Sequence, residues 1–157
     1  MRKQLLLWIV GALMIMPGIP AKTHLQSFKN TTALFDDDWR FHRGGAQGAE
    51  QGDFDDSKWR KVDLPHDWSI EDLPNTNSPF NRDAISQVSG GFTTGGTGWY
   101  RKSFSVPTEQ DAKRILIQFD GVYMNAEVWL NGQWIGSHPY GYTSFWLDLT
   151  DKLKLGA

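Results

Sequence analysis

His66, Asp67 and Ser69 stand within four residues of one another in PHDWS. An imidazole, a carboxylate and a hydroxyl are the parts of a nucleophilic relay, but such relays are assembled in space from separate elements. No Gly-x-Ser-x-Gly turn accompanies these three. The adjacency therefore points to a pair that shapes the start of a loop. Asp36, Asp37 and Asp38 form an acidic run before Trp39. A calcium loop needs further oxygen ligands at fixed offsets. None follows, so a solvated turn whose carboxylates accept backbone N–H groups is the expectation. Glu127 is the only acid inside a clear strand pattern, and it has no partner carboxylate at a useful spacing. It is expected to make a cross-strand ion pair. His24, His42, His66 and His138 are too scattered for a zinc motif. No catalytic residue, no metal and no cofactor is expected from these residues.

Tryptophan is the other chemically expressive residue. The chain has 8, of which Trp8 lies in the apolar leader described below. Indole faces bind the apolar faces of sugars, and ligand sites are mostly apolar with a few placed polar groups. The same side chains also fill sandwich cores. Trp68 and Trp99 stand out because they bracket a long loop, where binding residues concentrate. With Thr97 and Gly98 they are the candidate wall of a substrate pocket. The glycine-rich stretch GGFTTGGTG, residues 90–98, lacks the Lys-Ser/Thr ending of a phosphate loop, and no helix pattern follows it. Its glycines serve tight turns or close approach of another chain segment.

The elements that must hold these residues are strands. The alternation in WYRKSFSV predicts a strand over Trp99–Val106, ended by Pro107. In RILIQF, Ile115, Ile117 and Phe119 share one face, with Leu116 and Gln118 opposite. Ala126, Val128 and Leu130 share a face, with Glu127 and Trp129 turned the other way. Asn131-Gly132 then supplies the two positive φ angles of a type I′ hairpin turn, and Gln133–Ser137 returns. Phe145, Leu147 and Leu149 alternate again. Upstream, Val62–Leu64 reads as a short edge strand closed by Pro65. Asp55-Asp56-Ser57 suits a single helical turn. Between Asp67 and Gly98 periodicity disappears for about thirty residues, a length that marks a functional or disordered loop. Strands spaced by turns, with almost no helical period, predict an antiparallel β-sandwich.

Length and charge narrow the setting. Arg2 and Lys3 precede an uncharged apolar run from Leu5 to Met16, then Pro17, Gly18, Pro20 and Ala21. That run is shorter than the ~20 residues of a spanning helix. It has the form of a secretory signal peptide over residues 1–21, leaving a domain over residues 22–157. A secreted or periplasmic location is therefore expected. The chain carries 16 basic and 18 acidic residues. Loss of Arg2 and Lys3 leaves 14 against 18, a net charge of −4. This argues against nucleic acid or an anionic membrane as partner. With no cysteine there is no disulfide, no thiolate nucleophile and no site for a lipid anchor.

Several stretches, in this order, resemble the N-terminal sugar-binding domain of glycoside hydrolase family 2. They are Phe35–Trp39 with Phe41-His42, Trp59-Arg60 with Val62, and Leu64-Pro65-His66-Asp67-Trp68. Gly98-Trp99-Tyr100-Arg101-Lys102 follows with Phe104, then Phe119-Asp120-Gly121-Val122 and Ala126–Gly132. Gly136 and Tyr140-Gly141-Tyr142 with Phe145 complete the set, which spans most of residues 33–155. The LPHDW and GWYRK forms are similar to the β-galactosidase-like branch.

The resemblance implies an all-β jelly-roll sandwich of the galactose-binding-domain type, here incomplete at its C-terminal end. It implies a β-galactoside-like carbohydrate as ligand. It further implies downstream immunoglobulin-like and TIM-barrel domains, with the two glutamates of a retaining glycosidase on the barrel. Such pairs sit ~5–5.5 Å apart. A barrel needs ~250 residues, so neither glutamate maps to a position in this chain. Thr97, Gly98 and Tyr100 match the family's galactose-contacting segment. Gly95-Gly96 stand where that segment has Asn-Pro, which argues against direct galactose contact there. The family's RGD-like turn is altered to Arg43-Gly44-Gly45. A stand-alone carbohydrate-binding module and a non-catalytic interaction domain are the alternatives. Saturable quenching of tryptophan fluorescence by galactosides separates the module from the others.

Overall fold

The computed structural model describes residues 32–107 and 114–153. The expected leader, residues 1–21, lies outside the described residues. All described strands belong to one unit that begins at Leu34.

β1 (Trp39–Arg43) is the centre of a three-stranded antiparallel sheet, flanked by β2 (Arg60–Val62) and β3 (Gly98–Arg101). Phe41 is opposite Arg60 on one side and Tyr100 on the other. Side chains alternate across a sheet. Phe41 and Tyr100 therefore share a face, with ring centroids 4.9 Å apart. His42 lies on the other face, stacked on Trp59 at 5.1 Å. On that second face Arg101 ties down the loop before β2. Its guanidinium reaches Asp56 Oδ2 at 3.0 Å, Gln51 O at 2.9 Å and the carbonyl of Ala49. The helical turn expected at Asp55-Asp56-Ser57 is instead a tight non-helical turn, in which Asp55 Oδ1 accepts the Ser57 N–H at 3.0 Å and Asp56 O accepts the Trp59 N–H at 2.9 Å.

Two strand boundaries differ from the sequence expectation. The edge strand begins at Arg60 and ends at Val62, because its register is set by β1, and only the Leu64 N–H bond to Asp36 O extends it. The strand expected over Trp99–Val106 stops at Arg101. The partner it needs ends where Asp38 turns away with φ of +57°. Lys102 Nζ reaches back to the Phe35 and Asp37 carbonyls instead, at 3.2 and 2.5 Å.

β4 (Leu116–Phe119) pairs with β7 (Phe145–Asp148), and β5 (Ala126–Leu130) with β6 (Gln133–His138), both antiparallel. Ile117 and Phe119 are half-buried while Leu116 and Gln118 are exposed, as the alternation requires. Asn131 and Gly132 have φ of +51° and +80°, so the β5–β6 turn is the one expected. A bulge between Val128 and Trp129 leaves Ile135 unpaired and turns Trp129 onto Trp99. Glu127 is opposite Ser137 and joins no ion pair among the described residues, so the expected cross-strand pair does not form.

The two pairs of strands meet at Gly136. A Cβ there would stand 2.5 Å from Leu147 Cδ2, so the bare backbone of residue 136 lets Leu147 pack directly against β6. Phe145 lies between Phe119 and His138, stacked on both at 4.9 and 4.4 Å. Phe41, Ala49, Ala84, Phe145 and Leu149 are the buried apolar residues among those described. The fold is an all-β sandwich in which short antiparallel layers close on these few side chains.

Candidate functional site

The long loop is folded. Phe80 and Thr93 form an isolated antiparallel bridge, and Ala84 inside it is buried. Short 3₁₀ turns occupy Trp68–Ile70 and Val88–Gly90. Asp67 caps the first of these. Its Oδ1 accepts the Ser69 N–H at 2.9 Å and the Ser69 hydroxyl at 2.6 Å. The Ser69 hydroxyl bond, then the backbone bond, hold the Asp67 carboxyl below its usual range. Ser69 therefore donates to Asp67 and not to His66, and the three neighbours form a capped turn rather than a relay.

His66 has other partners, which sequence reading did not single out. Its Nε2 is 2.8 Å from Glu71 Oε1, and its Nδ1 is 2.7 Å from the Tyr100 hydroxyl. Glu71 Oε1 also accepts from Arg60 Nη2 at 2.6 Å. Arg60 Nη2 also stands 3.0 Å from His66 Nε2, so a guanidinium and a carboxylate meet the same ring nitrogen. With the proton on Nε2 the ring donates to Glu71, which only accepts, and Nδ1 is left to accept from Tyr100. Burial pushes the Glu71 carboxyl up, but the bonds from His66 and Arg60 outweigh it and the net direction is down. Burial, then the charges of Glu71 and Asp67, push the Tyr100 hydroxyl up to about 12. Glu71 thus stays ionised and Tyr100 stays protonated. An acid ionised and a phenol protonated near neutral pH suit a fixed hydrogen-bond chain, not proton transfer. Tyr100 lay in the GWYRK stretch and His66 in LPHDW, but their contact spans 34 positions. Only the β1–β3 register brings it about.

Trp68 projects from the capped turn onto the same face of the sheet. A Cβ on Gly98 would stand 2.7 Å from Trp68 Nε1 and 3.3 Å from Phe41 Cε2. The indole therefore rests directly on the β3 backbone. The Arg43 guanidinium lies 4.6 Å from the centroid of the Trp68 ring and bonds the Thr94 hydroxyl. Thr97 contributes its carbonyl, which accepts the Gly44 N–H at 2.8 Å. The Arg43-Gly44-Gly45 turn and the glycine-rich segment are thus joined; Gly44 adopts φ of +107°, a conformation open to glycine.

Of the four candidate wall residues, Trp68, Thr97 and Gly98 come together. Trp99 does not join them. It follows Gly98 in the strand and points to the opposite face, where its ring lies 5.7 Å from that of Trp129. The Trp99 indole N–H is buried there without a hydrogen-bond partner among the described residues. An open concavity in the loop is lined by Ser78, Phe80, Arg82, Gly91 and Phe92, none of which belongs to the Trp68 cluster. The acidic run behaves as a turn, with one reversal of role. Asp38 donates its backbone N–H to Asp63 Oδ1 at 2.9 Å, so the accepting carboxylate is supplied from across the sheet. No group of three or more candidate metal ligands occurs among the described residues.

Residues 35–157 match the family described as glycosyl hydrolases family 2, sugar binding domain. The chain belongs to glycoside hydrolase family 2. Among its relatives, a β-galactosidase of Bacteroides ovatus, BoGH2A, is 50% identical over 120 residues, which are 76% of this chain and 13% of the relative. A putative β-glucuronidase of Formosa agariphila is 37% identical over 148 residues, or 94% of this chain and again 13% of the relative. A crystal structure of a family 2 member from Bacteroides cellulosilyticus superposes with a TM-score of 0.77 at 54% identity, covering 78% of this chain and 16% of that one. The family 2 domain thus spans about one seventh of these proteins' length. The matched span includes the whole Trp68, Gly98 and His66 cluster.

Proposed function

We propose that this family 2 domain is the N-terminal sugar-binding part of an exported β-galactosidase-like glycosidase, with jelly-roll winding in the complete domain. Residues 1–21 direct export to the periplasm or beyond, and the downstream immunoglobulin-like and barrel domains carry the chemistry. Trp68, with the backbone of Thr97 and Gly98, forms part of the wall of the carbohydrate site. Trp99 belongs to the interior on the other face and is not part of that wall. The observation that carries the reading is Trp68 itself. Its indole is fixed on a glycine backbone and flanked by a guanidinium, at the root of an ordered loop. An aromatic face held rigid beside polar donors is what pyranose recognition asks for. The 50% identity to a protein named β-galactosidase favours a β-galactoside over a β-glucuronide as ligand.

The domain alone is expected to bind without hydrolysing. The test is to incubate the chain with a nitrophenyl β-galactoside, and separately to titrate it with methyl β-galactopyranoside while reading tryptophan fluorescence. Saturable quenching without turnover supports the carbohydrate wall at Trp68, and turnover that appears only when the domain is joined to downstream domains separates a glycosidase part from a stand-alone module. Turnover above a heat-killed control overturns it, and quenching by a glucuronide alone moves the ligand to the uronides.

A further inference from the structure

The Asp67 cap closes the turn that carries Trp68 within itself but does not tie it to the sheet. The turn is three residues long, and Glu71 N–H to Trp68 O at 3.3 Å also closes it. Ile70 is 68% exposed. What fixes the turn lies at its two flanks. His66 precedes it and Glu71 follows it, and each reaches a different strand. His66 bonds the Tyr100 hydroxyl on β3, Glu71 bonds Arg60 on β2, and the two bond each other at 2.8 Å. The His66 ring also lies edge-on to Phe41 of β1, with centroids 4.7 Å apart. The turn is thus stapled across all three strands of the sheet. His66 is nearly covered, so its bond to Glu71 is better shielded from water than an ordinary surface pair, whereas Arg60 is about half exposed and grips Glu71 from the solvent side.

We propose that the Arg60–Glu71–His66–Tyr100 chain is a positioning network whose task is to hold the Trp68 indole on Gly98, so that breaking it releases Trp68 while the sheet stays folded. Its bearing on ligand affinity rests on the reading of Trp68 as part of the carbohydrate wall. None of the four residues needs to touch the sugar. Arg60 and Tyr100 are strand residues that give the turn its address, and His66 and Glu71 are the two points at which it is gripped.

The test compares the full chain with Glu71→Ala, Glu71→Gln and Tyr100→Phe, using nuclear magnetic resonance and galactoside titration. An indole seated on Gly98 shifts the Gly98 α-proton signals through its ring current. In Glu71→Ala these signals should move towards open-chain values while the Phe41–Tyr100 cross-strand contacts persist. Glu71→Gln keeps an acceptor oxygen and should retain much of the shift, and Tyr100→Phe should lose part of it. Methyl β-galactopyranoside Kd should rise about tenfold in Glu71→Ala, equivalent to about 1.4 kcal/mol. Unchanged Gly98 signals in folded Glu71→Ala overturn the proposal. If Glu71→Ala unfolds, Tyr100→Phe decides, since it deletes one oxygen and keeps the ring on Phe41. If the wild type binds no galactoside but Gly98 responds to the variants, the network stands and the carbohydrate reading falls.

Discussion

The Trp68 indole nitrogen lies 2.7 Å from where a side chain on residue 98 would begin. Gly98 is therefore the floor beneath Trp68, and Phe41 Cε2 at 3.3 Å closes the same space from the side. A Gly98→Ala substitution puts a methyl group into a rigid ring already flanked by Arg43. Overpacking of this kind costs about 1–3 kcal/mol. Urea unfolding of the variant should show that loss with an unchanged slope, together with a blue or red shift of tryptophan emission as the indole leaves its seat. Unchanged stability and emission would mean that Trp68 does not rest there.

Gly136 and Leu147 make the corresponding contact between the other two layers. An added Cβ would meet Leu147 Cδ2 at 2.5 Å. Gly136→Ala should destabilise by about 1–3 kcal/mol. Leu147→Ala alone should cost about 2–5 kcal/mol through the cavity it leaves. The two substitutions share one space, so the double variant should lose clearly less than the sum. Strict additivity in a double-mutant cycle would place β6 and β7 out of contact.

The local elements were readable because each is coded by neighbours in sequence. Asn131-Gly132 gives its turn from two residues, and Ile117 and Phe119 show their face by alternation. A turn at Asp55, though not its non-helical form, follows from one side-chain acceptor two residues before an N–H. The strand ends at Val62 and Arg101 were not readable, because they depend on where β1 stops, and that is set by the left-handed residue Asp38. The placement of the four candidate wall residues also depends on the strand. Trp68, Thr97 and Gly98 converge, but placing Trp99 with them ignored the side-to-side alternation of a strand, which sends residue 99 away from residue 98. Tyr100 as a partner of His66 needed the pairing of β1 with both β2 and β3, which no short window of sequence contains, whereas Glu71 stands five residues from His66 and was within reach of a local reading.

Trp99 and Trp39 offer a paired test of buried donors. Trp99 Nε1 is buried without a partner among the described residues, whereas Trp39 Nε1 donates to Phe35 O at 2.8 Å. An unsatisfied buried donor costs about 1–3 kcal/mol, and a made bond contributes about 0.5–1.5 kcal/mol. Trp99→Phe removes the orphan, which offsets the smaller ring against Trp129. Trp39→Phe removes a bond and has no such offset. Denaturation midpoints should therefore fall more for Trp39→Phe than for Trp99→Phe; the reverse order would show that the Trp99 N–H is satisfied.

Asp148 sets a pH dependence at the end of β7. Its carboxyl is lowered from the ordinary 3.8 to about 2, first by the Thr150 hydroxyl at 2.6 Å, then by Arg114 at 2.8 Å and the Thr150 N–H at 3.0 Å. The same Thr150 hydroxyl accepts the Ile115 N–H at 3.0 Å, so this cluster joins the start of β4 to the turn that follows β7. The folded carboxyl is more acidic than the unfolded one, so its contribution is complete above pH 3.8. It is lost as pH falls from there towards 2. Wild type and Asp148→Asn should therefore differ in stability at pH 5 and converge near pH 2. Both partners are exposed, so the difference will be small, and the carboxyl signal of Asp148 in an NMR titration is the sharper probe. Thr150→Val should raise its midpoint more than Arg114→Gln does, because the hydroxyl bond is the larger cause. Added salt should screen the Arg114 contribution and leave the Thr150 contribution in place. A midpoint that stays near 2 in Thr150→Val, or that collapses to the ordinary value in salt alone, would assign the shift to charge and not to the hydroxyl.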